Sequence, residues 1–431
     1  MTATSAEQIP DSPATSRRDW RIIGLLGAAH SCSHFYQLVL PTLFLPLAGE
    51  FGYNFSQLGL LASIFYLVSC LGQASSGFVV DRIGPTPVLR FGLGCFVASA
   101  LLIGIANNYF VFAVAAFIGG AGNSVFHPVD YSIINRRVSP LRLGHAYSAH
   151  GFTGNLGWAL TPVFMTTIIH LADWRTAVFS AGFMIACVLF VVWLNRNLLE
   201  GRERGTEAKP SKTAAAARNA SPAVDSVGHT LSVLLKKPAL WGAFFFFACT
   251  AIASSAVQNF TIPMLGDVYG IDKVLAGTTL SGYMLASAIG MLVGGFLVSS
   301  TPRTEFIIAV SLVLAGLLLV VLAVGVLPPL WAMALVGLAG FCSGVATPSR
   351  DMLIRRVAPR GATGAVYGLV YSGIDVGSSL GPIGFGFMMD IGLRQGPWVG
   401  AAVAFVVAAW AALMVAKAAA AADRSAVAVA A

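Results

Sequence analysis

Apolar residues along this chain come in long runs interrupted by Gly, Pro and short charged clusters, with no alternation of the kind a half-buried strand would show. At about 1.5 Å rise per residue, a helix needs roughly 20 mostly apolar residues to cross a hydrocarbon core. Twelve runs of that length can be laid out, at residues 20–48, 56–80, 88–106, 109–135, 142–170, 175–195, 238–265, 275–299, 305–326, 330–354, 362–391 and 398–417. The pattern therefore predicts an all-α membrane protein of twelve transmembrane helices, with little chain left for a soluble domain. Residues 1–19 are polar and rich in Ser, Thr and Pro, and the apolar run after them is too long for a signal-peptide core, so a retained, disordered, cytoplasmic N-terminus is expected. The charged, Ala/Ser-rich stretch 198–237 reads as a cytoplasmic linker between a six-helix bundle at 20–197 and another at 238–417, leaving 418–431 as a cytoplasmic tail.

Composition agrees with this picture: 57% of residues are apolar and 10% charged, where soluble domains carry about 25% charge. The net charge of +8 changes meaning once the chain is threaded back and forth from a cytoplasmic start. Most basic residues, among them Arg82, Arg90, Arg136, Arg137, Lys236, Lys237 and Arg360, then gather on the cytoplasmic face, with Arg175, Lys273 and Arg394 on the far side and Arg350 inside a span. That asymmetry is the positive-inside rule of a multi-pass protein of the cytoplasmic (inner) membrane, so the charge calls for a lipid bilayer as partner and for no nucleic acid. The six cysteines lie in apolar spans without metal-ligand spacing and read as small packing residues.

The two halves echo one another. An offset of 218 pairs Gly52 with Gly270, Gly59 with Gly277, Gly72 with Gly290, Gly77 with Gly295 and Thr86 with Thr304. An offset of 220 pairs Pro128 with Pro348, Gly144 with Gly364, Tyr147 with Tyr367, Gly157 with Gly377 and Pro162 with Pro382. Each half holds an even number of spans, so both share one orientation about an axis along the membrane normal. This is the arrangement of major facilitator transporters, whose substrate site lies between the halves near the midplane. The loop "GFVVDRIGPTPVL" (Gly77 to Leu89) resembles the signature of that superfamily, with Pro85, Thr86 and Pro87 where basic residues are usual. The resemblance implies a gating role for Asp81 and Arg82 in a latch between the halves; a solvated turn is the plainer reading.

A narrower resemblance rests on spans four and five. "SVFHP" (Ser124 to Pro128), "RLGHAYS" (Arg142 to Ser148), "GNLG" (Gly154 to Gly157) and Pro162 look like the fosmidomycin-resistance group of drug exporters. That resemblance implies proton-driven export of a small, often anionic compound by a monomer, with the proton gradient as energy source and no cofactor. The absence of a phosphate-cradling Gly loop with Lys and Ser/Thr speaks against ATP drive.

Candidate chemistry lies in the polar residues within spans. Asn123, His127 and Asp130 follow a 4-then-3 spacing and share a helix face with Tyr131 beside them, while Gly119, Gly120 and Gly122 let neighbouring helices approach. A charged Asp at mid-membrane costs roughly 2.5–3.5 kcal/mol, so this face should line a water-filled cavity. Pro128 and Pro348 are expected to bend their helices. The repeat sets Arg350 opposite Asp130, and two readings stay open: a pair that an anionic substrate breaks by taking the guanidinium, or a permanent ion pair bracing two helices. Asp351 points elsewhere on its helix, towards an expected latch with Arg355.

Five of the seven histidines (His30, His34, His127, His145 and His150) fall inside spans, and His145 is expected near the cytoplasmic surface. His30 and His34 are one turn apart, but no Cys or carboxylate cluster accompanies them, so no metal is expected and His34, with Tyr36 and Gln37, is read as cavity lining. Gln258 and Asn259, just before Pro263, complete the substrate-binding lining with Arg350, Asn123 and His127. Proton coupling is expected at Asp130 with His127. Asp375 is either a second proton site or a hydrogen-bonded structural acid, and its setting "SGIDVGSSLGPIGFG" (Ser372 to Gly386) resembles the superfamily's antiporter motif, here in span eleven rather than five. The rival readings are an importer or facilitator of an organic anion and, less favoured for want of a nucleophile or metal, a membrane-embedded enzyme.

Overall fold

The structure is a computed structural model, and it describes residues 12–200, 238–301, 303–357 and 363–430. Among these residues every regular element is helical. The first crossing is assembled from three pieces, α1 (Pro13–Gln37), α2 (Val39–Thr42) and α3 (Phe44–Phe51). The breaks, at Leu38 and Leu43, lie three residues before Pro41 and Pro46, which have no N–H to give the carbonyls of Gln37 and Thr42. Then follow α4 (Phe55–Ile83), α5 (Pro85–Ile105), the divided fourth crossing α6 (Tyr109–Asn123) and α7 (Phe126–Arg137), α8 (Leu143–Leu171), α9 (Trp174–Leu194) and the short α10 (Arg196–Glu200). The second half runs α11 (Pro238–Tyr269), α12 (Lys273–Ser300), α13 (Thr304–Val324), α14 (Pro329–Val357), α15 (Thr363–Asp390) and α16 (Gly396–Ala430).

These make twelve crossings at the places the apolar runs predict. Among the described residues nine helices are long and apolar enough to cross a membrane on hydropathy alone. The crossings at 20–48, 142–170 and 362–391 miss that criterion. The first is broken by its prolines, and the other two carry polar and small residues along the faces they turn to their neighbours. Large apolar side chains such as Phe78, Phe183 and Phe296 stand more than 70% exposed around the outside, as a surface facing lipid rather than water requires.

Three boundaries differ from the sequence reading. Residues 13–19, expected to be disordered, open α1: Ser12 caps it by accepting the Thr15 N–H at 3.1 Å. Asp19, wholly buried, receives the Ser139 N–H at 3.2 Å and lies 3.6 Å from Arg142 and 3.5 Å from Arg18, tying the start of the chain to the α7–α8 turn. The linker expected at 198–237 falls outside the described residues from 201 onward, and its first residues belong to α10. Helix α16 continues through the stretch assigned to a tail.

The halves meet along α4 against α15 and α8 against α12. Both seams are tight at the face opposite the chain ends. There Gly59 and Gly386 leave no room for a side chain against the backbones of Pro382 and Phe55, Gly277 packs on Thr166, and the Val163 N–H, next to Pro162, donates to Ser281 Oγ at 3.1 Å. Toward the chain-end face, Gly77, Gly144, Gly151 and Gly295 have nothing within 4 Å. The close contacts between the halves thus gather on the far side.

Candidate functional site

Pro128 decides the local geometry of the fourth crossing. It has no N–H to give the carbonyl of Ser124, and the helix breaks there, restarting at Phe126. The equivalent Pro348 is absorbed within the continuous α14, so only one of the two prolines expected to bend their helices interrupts its own. After the break α7 directs Asp130 into the interior of the first half, where its carboxylate is fully buried.

Two imidazoles converge on one oxygen of that carboxylate. His30 Nδ1, from α1, lies 3.0 Å from Asp130 Oδ2, and His150 Nε2, from α8, lies 3.1 Å from it. The two rings stack with centroids 3.5 Å apart. His127, the least buried of the three histidines, lies one turn before Asp130, stacks on Tyr131 and stands 5.4 Å and 5.9 Å from the His30 and His150 rings. His34 continues the cluster 4.6 Å from His30 and 4.2 Å from Trp158.

This crowding depends on two glycines of the "GNLG" stretch. A methyl group at Gly154 would meet His30 Nε2 and His34 Cε1 at 3.0 Å, and one at Gly157 would run into the backbone of Ser31. Their missing side chains let α1 lie against α8 with both rings between them. One turn farther on, Asn123 knots four crossings together. Its Oδ1 accepts from Ser33 Oγ at 2.8 Å and Gln37 Nε2 at 3.1 Å, its Nδ2 donates to Ser69 Oγ at 2.8 Å, and Trp158 Nε1 donates to Gln37 Oε1 at 3.0 Å.

The second half contributes the cation. Arg350 is 23% exposed; its guanidinium lies 4.8 Å over the Phe247 ring and its Nε donates to Asp351 Oδ1 at 3.2 Å, an oxygen that also accepts the Tyr371 hydroxyl at 3.0 Å. The expected pair between Asp130 and Arg350 is therefore not formed. Asp130 is held by histidines of its own half, and Arg350 by the adjacent acid, because neighbours on the same rigid bundle are closer than the pseudo-symmetric partner across the cavity. Asp351, expected to point away from Arg350, is its direct partner; the Arg355 side chain of the expected latch lies outside the described residues.

Other expected residues fall in varied places. Tyr36 is a packing residue rather than cavity lining: it is 2% exposed and stacks on Phe96 at 4.6 Å. Asn259 is buried and donates to Ser255 O on its own helix at 2.7 Å, whereas Gln258 is half-buried. Asp375 lies half-buried on α15, the helix that packs against α4 of the other half, and its backbone carbonyl accepts the Ser379 hydroxyl at 2.7 Å. At the end of α4, Asp81 pairs with Arg136 at 3.1 Å, both well exposed and both in the first half; Arg82 is exposed beside them. His145 is exposed, against Trp20.

His30, His150 and Trp158 were left out of the expected lining. For His150 a signal existed: His150, Gly154 and Gly157 repeat the 4-then-3 spacing of Asn123, His127 and Asp130 and so form one face of α8. The carboxylate missing beside His30 in sequence arrives in space from α7.

An ionisable cluster buried inside one six-helix half and a partly exposed cation within the other half suit a transporter, and the comparisons agree with one. The Major Facilitator Superfamily profile matches residues 26–257 and again 244–428, once per half. The chain belongs to the major facilitator superfamily. It is 26% identical over 291 residues to the fosmidomycin resistance protein of Escherichia coli, a match covering 66%, just under two thirds, of each chain. It is 24% identical over 350 residues to a probable nitrate/nitrite transporter, NarK2, of Mycobacterium tuberculosis, covering 80% of this chain and 82% of that one. Among solved structures, a bacterial homolog of the human lysosomal transporter Spinster, inward-facing and unoccupied, superposes with a TM-score of 0.70 at 16% identity over 95% of this chain and 97% of that one. A POT family transporter in complex with 5-aminolevulinic acid gives a TM-score of 0.73 at 12% identity over 91% and 96%. This major facilitator protein is thus a multi-pass membrane transporter and not an enzyme, and its fold is the twelve-helix one.

Proposed function

We propose that the protein is a secondary active transporter that exports a small anionic or polar compound from the cytoplasm in exchange for protons, by alternating access between two rocking halves in the inner membrane, with the chain ends cytoplasmic. The single observation that carries this reading is Arg350. Its Nε is occupied by Asp351 and its plane is supported by Phe247, while its two terminal nitrogens have no partner among the described residues. A guanidinium oriented in this way presents a two-pronged donor to a carboxylate, phosphate or similar anion. The name of the nitrate/nitrite relative, whose cargo is anionic, points the same way.

Coupling is placed on Asp375 in this proposal. A coupling acid has to change surroundings as the halves rock, and Asp375 sits on α15, which packs against α4 of the opposite half. The partners of Asp130, by contrast, all travel with it. A proton crossing about 100 mV releases roughly 2.3 kcal/mol, enough for roughly a 40-fold gradient of a neutral solute.

The test uses the purified protein in liposomes with an imposed pH gradient and a ligand found by thermal-shift screening. Export coupled to protons requires that reversing the gradient reverse net movement, and that Asp375→Asn lose gradient-driven movement while retaining substrate exchange. Full coupling in that variant would remove Asp375 from the mechanism, and movement indifferent to pH would leave a facilitator.

A further inference from the structure

We propose that His30, His127, His150 and Asp130 form a binding site for a divalent transition-metal cation of the Zn²⁺, Co²⁺ or Ni²⁺ class, buried in the first half and reached from the cavity past His127. The ligand nitrogens of the three histidines lie within 4.8 Å of one another. Tetrahedral Zn²⁺ with arms of about 2.0–2.1 Å sets its ligand atoms about 3.3–3.4 Å apart. Two edges of such a polyhedron are nearly in place, since His30 Nδ1 and His150 Nε2 stand 3.0 Å and 3.1 Å from Asp130 Oδ2. His127 completes the set by a side-chain adjustment into the space between them.

Hydrogen bonding leaves this cluster short of partners. His30 Nδ1 approaches the carboxylate oxygen but makes no aligned hydrogen bond, and Asp130 Oδ1 has no partner, although the two residues are 2% and 0% exposed. Buried polar atoms are seldom left so, because an unsatisfied one gives up its hydration with no bond in return. One dication would engage three imidazoles and the carboxylate together. Three nitrogens and one oxygen suit borderline transition metals, and hard cations such as Mg²⁺ or Ca²⁺ prefer all-oxygen shells. All four side chains belong to α1, α7 and α8 of one half, so the site keeps its geometry while the halves rock and does not depend on the transport reading above.

The experiment uses full-length protein without an affinity tag, stripped with chelator and titrated with Zn²⁺ by calorimetry and with Co²⁺ by visible absorption. The expected result is one ion per chain, the intense d–d bands of tetrahedral Co²⁺, and at least about a 100-fold weaker Kd in His30→Gln and in His150→Gln, with His145→Gln unchanged. No stoichiometric ion, or binding indifferent to His30 and His150, overturns the proposal. Should those variants fail to fold, X-ray absorption of the Zn²⁺-loaded wild-type protein decides: a shell with imidazole scattering from three histidines upholds the site, and an oxygen-only shell overturns it.

Discussion

Asp390, the last residue of α15, caps the first turn of α4 in the opposite half: its carboxylate accepts the Phe55 N–H at 2.7 Å and both the N–H and the hydroxyl of Ser56, the former at 2.8 Å. An anion at a helix N-terminus satisfies orphan donors and meets the positive end of the helix dipole. Here the cap also bolts the two halves together on the face where the seam is closed. Asp390→Ala should weaken that closure by about 1–2 kcal/mol and raise the population of the opposite-facing state roughly 5- to 30-fold. Spin labels on the far-face ends of α4 and α15 would report it as a longer-distance component in electron resonance; an unchanged distance distribution would show that the cap is ornamental to gating.

Gly157 packs against the Ser31 backbone, whereas Gly144 on the same helix has nothing within 4 Å. Gly157→Ala should therefore cost about 1–3 kcal/mol through overpacking, while Gly144→Ala should be neutral or slightly stabilising. Thermal melting in detergent distinguishes them, the first variant melting several degrees lower and the second matching the parent.

Arg350→Lys keeps the charge but loses the fork. If the guanidinium grips an anion with two parallel bonds, the substitution should weaken substrate Kd about 10- to 100-fold, or roughly 1.4–2.7 kcal/mol, and Arg350→Gln should weaken it further. Equal affinity in all three proteins, measured with the screened ligand, would move the anion site elsewhere.

Glu50 lies exposed at the far-side end of α3, past the apolar run 20–48, where Trp174 Nε1 and Arg175 Nη1 both donate to it. The Trp174 hydrogen bond first, and the Arg175 bond and charge after it, hold its carboxyl below the usual range. A depressed acid contributes stability that is fully present above its unfolded value, about 4.3, and is lost as pH falls through the lower folded value. Acidification below about pH 4 should thus lower the melting temperature of the wild type more than that of Glu50→Gln. Because the group is well exposed and screened, the difference should be small and shrink with salt.

How much of this could be read before folding differs from element to element. The twelve crossings were legible because a buried backbone in lipid must be helical and about 20 residues long, a constraint written locally. Pro128 likewise marked a bend in the fourth crossing, which the fold makes a break, and the paired glycines marked two alike halves. Asn123, His127 and Asp130 read as a polar set because they share one face at helical spacing, while His34 and Gln37 read as lining only by their polarity, together with Tyr36.

The partners of Asp130 were another matter. Sequence symmetry set Arg350 opposite it, but symmetry fixes register along a helix and not the distance across a cavity; that distance follows from how α4 and α8 lean on α15 and α12. His30 and His150 reach the carboxylate because Gly154 and Gly157 allow α1 and α8 to touch, a contact between segments far apart in the chain. Tyr36 shows the same division, its polar tip suggesting a cavity and its helix rotation placing it in the core against Phe96. The chain alone determined where helices form and which of their faces are polar, since those depend on neighbours three or four residues away. Which polar faces meet was decided only by tertiary packing, where small residues set the closeness of the helices and closeness chooses the partners.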